Sequence, residues 1–163
     1  HDGARPFVDE EMIKRAYENV LQYKACVVGM PVKDTIKIGD IVQFKPDEDT
    51  VKFIKNRGYL PEIADTLVKE VAADYNNRDE IKFIYDVNLK QNLLYVGEKN
   101  YGPILLKDSK GRNITSVSLE DLKPRNPNEF LLLSSHYKSY DSRYFGLIKR
   151  NQILNKAKIK IKF

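Results

Sequence analysis

The hydrophobic and polar positions open with one helical period and then change to strand periods. Asp9 can cap a helix running through EEMIKRAYENVLQYK, with Met12, Ala16, Val20 and Tyr23 on one side. A short apolar run, KACVVGMP, follows, and then IKIGDIVQF, a strand pattern entered through a Gly39-Asp40 turn. The segment DTVKFIKNRGYLP predicts a short helix stopped at Gly58, a residue that accepts the left-handed conformation. From TLVKEV onward the pattern is strand and turn: IKFIYDVN, NLLYVGE, GPILLKDSKGRNITSV and EFLLLSS, with a hairpin turn from Asp108 to Arg112. KAKIKIKF alternates again, predicting a last strand with one buried face and a lysine-bearing, solvated one. There is no repeat and no low-complexity segment. The fold class these elements imply is mainly β (β-rich α+β), one domain over residues 9–163 with a single leading helix. Residues 1–8 read as a flexible amino terminus or a non-native remnant.

Two strand-like segments carry candidate chemistry. In TLVKEVAADY, Leu67, Lys69 and Val71 share one face while Val68, Glu70 and Ala72 share the other, so one of the two charges sits among apolar neighbours. A lysine there has two readings. Held neutral by burial, which lowers its pKa, it is a base; with its stem packed and its ammonium in water, it is an ordinary edge residue. The second segment, FLLLSSHYKSYDSRYFGLI, runs from apolar residues into a cluster with Asp141, Arg143, four serines and three tyrosines. On an extended segment Asp141 and Arg143 face the same way and can hold one another, or lock a loop through backbone bonds.

Composition narrows the setting. At 163 residues and 42% hydrophobic the chain can bury a core. No apolar run has the length to span a bilayer and the amino terminus lacks a secretory-signal pattern, so the expectation is a soluble protein or the soluble part of an anchored one. A single cysteine, Cys26, excludes an internal disulfide and a cysteine zinc cluster. The net charge of +5 is concentrated: Lys149, Arg150, Lys156, Lys158, Lys160 and Lys162 are unopposed by any acid in the last fifteen residues, and the rest of the chain is near −1. That stripe is the solvated face of a strand or a contact for RNA or anionic membrane.

The series GDIVQF, RGYLP, LVKEVAA and FLLLSSHYKSYDSRYFGLI, in that order, resembles the serine-lysine signal peptidases of bacteria, and among them the TraF-type peptidases of conjugation systems. Matching blocks cover Gly29 to Asp74 and Glu129 to Ile148, separated by a variable insertion over about residues 76–128 in which DSKGRNI is familiar. The resemblance implies a signal-peptidase-like assembly of coiled β-sheets. It makes Lys69 the general base for a serine nucleophile, Ser139 the residue that orients the lysine, and Asp141 with Arg143 a structural pair supporting the site. It further implies cleavage of an exported pilin or envelope protein after small side chains. The acyl-enzyme on serine is released by water or, in pilin cyclisation, by an amine. No metal or organic cofactor is implied. The expected location is the periplasmic face of the inner membrane, held by an anchor absent from this chain, with an exported peptide rather than nucleic acid as partner.

The nucleophile departs from the pattern. Where the family has a serine followed by a residue and a proline, this chain reads GMP, with Gly29 in the serine position; the first serine of the chain is Ser109. Val27 stands where some relatives carry an oxyanion-hole hydroxyl, and the linker from Pro31 to Gly39 is short. Three explanations follow: a natural non-catalytic relative that binds an extended peptide by strand addition, a replaced serine in an otherwise active enzyme, or recruitment of Cys26. Cys26 ranks last, being three residues off register, and Thr35 and Thr66 match no motif. The chain is thus expected to be inactive as it stands, with a peptide-binding scaffold and a basic nucleic-acid or membrane-surface binder as the alternatives. Without its serine, Lys69 is expected to be paired, exposed at the cleft, or retained because the scaffold depends on its hydrogen bond to Ser139, and a raised pKa is then less surprising than a lowered one.

Overall fold

The computed structural model describes residues 28–31 and 35–158. Residues 1–8, the helix expected from Asp9, Cys26 and Val27, and the end of the carboxy-terminal strand lie outside the described residues.

Among the described residues nine strands form two antiparallel sheets. The larger joins β1 (Val28–Pro31), β9 (Ile153–Lys158), β2 (Ile41–Phe44), β3 (Leu67–Ala73), β7 (Glu129–Leu133) and β8 (Ile148–Lys149), in that spatial order. The smaller joins β4 (Ile81–Asp86), β5 (Gln91–Val96) and β6 (Lys99–Pro103). This is the mainly β architecture the alternating patterns predict. The run EFLLL lacks alternation because both faces of β7 are covered: Phe130 and Leu132 join Val42, Phe44 and Val71 in one core, while Leu131 and Leu133 join Ala72, Ile81 and Leu94 in the other. The two cores therefore share β3 and β7, the strands that position the candidate site.

Helix α1 (Glu48–Asn56) forms where predicted. Asp47 caps it, accepting from the Thr50 N–H at 2.8 Å, Ile54 is its buried residue, and Gly58 takes φ +73° just past the end.

The structure corrects two expectations and sets a predicted strand in its place in the sheet. In GPILLKDSKGRNITSV, only Gly102 and Pro103 belong to a strand; beyond them a single bridge, Lys107 to Asn113, flanks the Asp108–Arg112 turn. Side-chain hydrogen bonds to Asp108 fix that loop in place of a ladder. Asp141 and Arg143 do not share an extended segment: Asp141 is the cap of a short helix, α2 (Ser142–Phe145), and Arg143 lies within its first turn. The basic carboxy-terminal strand is internal, with β1 on one side and β2 on the other, and Lys156 is tied to Asp40 at 3.1 Å.

Candidate functional site

Strand β3 carries Lys69 on the face it shares with Leu67 and Val71, opposite Val42 of β2. On its other edge β7 pairs with β3 only from Glu70 onward, so the ladders leave Leu67 to Lys69 paired on the β2 side alone. Where β7 ends, residues 134–141 fold back beside that free edge. Three short bonds shape the loop: the His136 N–H to Ser134 Oγ at 3.2 Å, the Lys138 N–H to His136 Nδ1 at 3.3 Å, and the Ser139 N–H to the His136 carbonyl at 2.9 Å. The outcome is a 2.6 Å contact between Lys69 Nζ and Ser139 Oγ.

The loop is fastened by buried polar groups. Asp141 accepts from the N–H of Ser134 at 3.1 Å and of Arg143 at 3.1 Å, and it pairs with the Arg143 guanidinium. Arg143 also donates to the Tyr101 carbonyl at 2.9 Å, tying the loop to β6, and Ser142 Oγ accepts from the Leu132 N–H at 3.0 Å. Asp141, Ser142 and Arg143 are all fully buried.

Electrostatics follow from this burial. Desolvation pushes the Lys69 amine below its ordinary pKa; the Asp141 carboxylate pulls it back up and Arg143 adds to the lowering. The direction is opposite to the raised value expected for a lysine without its serine. Proximity to one carboxylate does not offset burial, because Asp141 is already neutralised by Arg143. Burial disfavours the Arg143 cation, yet the hydrogen-bonded Asp141 carries its pKa above the ordinary value.

A groove of about 1090 Å³ runs past this pair, with Ile41, Gln43, Tyr59, Lys69, Ser139 and Tyr140 on its walls. Tyr140 stacks on Phe53 at 5.4 Å and on Tyr144 at 5.3 Å between ring centroids, which makes one wall aromatic and rigid. Lys69, Ser139, Asp141 and Arg143 are thus assembled in one place. Gly29 is not with them on the same strand pair: it lies on β1 opposite Ala157, and β9 and β2 stand between β1 and β3.

Sequence reasoning missed the anchoring of the groove's far wall. Asp108 Oδ2 accepts from Tyr59 at 2.7 Å, Arg112 at 2.8 Å and Arg57 at 3.2 Å, joining RGYLP to DSKGR. The available signal was the presence of both segments among the familiar motifs. Among the described residues, no group of three His, Cys, Asp or Glu side chains is placed to hold a metal ion.

Residues 10–162 match the family described as signal peptidase, peptidase S26. The chain belongs to that family. Signal peptidases are hydrolases of exported proteins, typically membrane-associated with an extracytoplasmic active domain. No helix among the described residues of this signal peptidase relative is long and apolar enough to cross a membrane. Curated proteins show local similarity of another kind. The chain is 44% identical over 54 residues to the 2-C-methyl-D-erythritol 4-phosphate cytidylyltransferase of Lachnospira eligens, covering 31% of this chain and 24% of that protein. The same enzyme of Caldanaerobacter subterraneus subsp. tengcongensis is 46% identical over 54 residues, 33% of this chain and 24% of that protein. That of Lachnoclostridium phytofermentans is 29% identical over 125 residues, 75% of this chain and 50% of that protein. The chain spans a quarter to a half of the length of these relatives, and family membership rests on the match over residues 10–162.

Proposed function

We propose that this chain is a signal-peptidase-type endopeptidase domain of the TraF kind, serving a bacterial conjugation or secretion system at the periplasmic face of the inner membrane. Its substrate is an extended segment of an exported pilin or envelope protein. The observation that carries this reading is the Lys69–Ser139 contact of 2.6 Å beside the free edge of β3. An extended peptide adds to Leu67–Lys69 as a further strand, which brings its carbonyls alongside the lysine. Lys69, disposed by burial to be neutral, is the base; Ser139 orients it; Asp141 and Arg143 hold the loop. Gly29 stands at the position of the serine nucleophile, so chemistry at that position requires a hydroxyl this chain lacks.

The glycine favours a second reading, a non-catalytic peptide-binding module of the same apparatus. Both are tested with a synthetic peptide bearing alanine at the first and third residues before the scissile bond. Binding is measured for the unmodified chain, and cleavage for Gly29→Ser and for Gly29→Ser combined with Lys69→Met. Cleavage by the serine variant that is lost with the methionine supports the peptidase. Binding with no cleavage in either variant supports the module. Failure of the folded protein to bind the peptide at all overturns both.

A further inference from the structure

We propose that Ser139 is itself a nucleophile, and that Lys69 and Ser139 form a serine-lysine dyad that works without a hydroxyl at position 29. The inference rests on the reading above for the groove and for Lys69 as base, and goes beyond it on Ser139, which there only orients the lysine. A nucleophilic serine needs a base within hydrogen-bond reach, surroundings that favour the neutral form of that base, and access to substrate. All three meet at Ser139. Its Oγ is 2.6 Å from Lys69 Nζ, burial lowers the affinity of that amine for a proton, and both residues line the groove, Ser139 keeping partial solvent exposure. With the amine neutral, the hydroxyl proton can occupy this contact, Oγ–H donating to Nζ. The other groove serines lack such a base: Ser134 Oγ accepts from the His136 N–H, and neither Ser109 nor Ser135 bonds a lysine among the described residues.

The steps balance with water as the sole co-reactant. Ser139 Oγ forms a bond to the scissile carbonyl carbon as its proton passes to Lys69 Nζ. Collapse of the tetrahedral species breaks the C–N bond, and Lys69 returns that proton to the leaving amine. Water then attacks the Ser139 ester, giving its proton to Lys69, and the carboxylic acid departs as Oγ recovers a proton.

The test is covalent labelling of the full chain by an alkyl fluorophosphonate, followed by peptide mass mapping. Attack forms an Oγ–P bond and releases fluoride, with the hydroxyl proton taken up by Lys69. The expected result is one adduct on Ser139. Its formation rate should rise about tenfold per pH unit until Lys69 is neutral, and Lys69→Met should slow it by about 100-fold or more. Ser139→Ala, shown to be folded by circular dichroism, should take no label in the groove. An unlabelled Ser139 in a protein that still binds the alanine peptide overturns this inference and leaves the peptidase-fold reading standing. Labelling of Ser139 that is indifferent to Lys69→Met and to pH also overturns it, since no dyad is then at work. Loss of peptide binding in the unmodified chain is the separate failure of the underlying reading.

Discussion

Arg143 meets Asp141 through two parallel hydrogen bonds, Nε to Oδ1 at 2.9 Å and Nη2 to Oδ2 at 2.7 Å, with neither side chain exposed to solvent. The pair is local in sequence but long-range in effect. Its carboxylate holds the Ser134 N–H at the end of β7, and its guanidinium holds the Tyr101 carbonyl on β6. Removing either partner leaves a buried charge with nothing to neutralise it. Arg143→Ala should therefore cost about 3–5 kcal/mol of folding stability, read from urea unfolding. Arg143→Lys should recover little of it, because an ammonium cannot make the two-point contact. Full recovery by lysine would show that charge alone, and not the fork geometry, holds the loop.

The lowered pKa of Lys69 sets a pH dependence of stability whose sign can be worked out. Below the folded-state value both states carry the proton, and the penalty of a buried ammonium is fully present. Between that value and the ordinary 10.5 only the unfolded chain binds the proton, so stability climbs with pH across this window. Lys69→Met removes the titrating group and should flatten the slope while keeping the apolar stem. Thermal unfolding of both proteins across pH 7 to 10.5 checks this. A slope that survives in the methionine variant would assign it to another group.

What the sequence made legible divides along physical lines. Strands with one covered face, such as IVQF, and the capped helix α1 were readable because period and cap are local properties. That Lys69 shares a face with Leu67 and Val71 followed from the same two-residue period, although the period did not tell whether Lys69 or Glu70 is the charge among apolar neighbours. The loop around Asp108 was not readable as more than a turn, since its partners Arg57 and Tyr59 lie some fifty positions away. Likewise the spacing of Asp141 and Arg143 signalled a pair but misjudged its backbone. An aspartate cap followed by a helical arginine also brings carboxylate and guanidinium together. The direction of the Lys69 shift needed three dimensions, because it depends on how fully Arg143 neutralises Asp141.

Asp108 should keep its loop folded well into acid. Burial alone would raise its pKa, but hydrogen bonds from Tyr59 and from the backbone of Arg112 and Lys110, with the Arg112 guanidinium, hold the carboxyl well below its ordinary 3.8. A depressed carboxyl stabilises the fold above the unfolded value and loses that contribution only as pH falls through the folded one. The amide signals of Lys110 and Arg112, followed by NMR, should stay in place through pH 3.8. In Asp108→Asn they should shift or broaden at neutral pH. Movement of the wild-type signals near the ordinary carboxylate range would mean that the cluster is weaker than its geometry indicates.

Gly102 should be as sensitive as any residue of the site, although it performs no chemistry. Its φ of +95° is a conformation side chains rarely adopt, and a Cβ there would lie 2.8 Å from the Tyr137 Cβ. Tyr137 belongs to the same loop as Ser139, so the collision can be relieved only by moving β6 or that loop. Either movement also pulls on the Arg143 bond to the Tyr101 carbonyl, one residue before the glycine. Gly102→Ala should therefore destabilise the protein by about 1–3 kcal/mol. It should also raise the Lys69 pKa toward 10.5, because a displaced loop lets water reach the amine. The two effects separate by measurement, denaturant unfolding for the first and the NMR titration of Lys69 for the second. A variant that lost stability with an unmoved lysine pKa would place the strain in β6 alone and uncouple this glycine from the site.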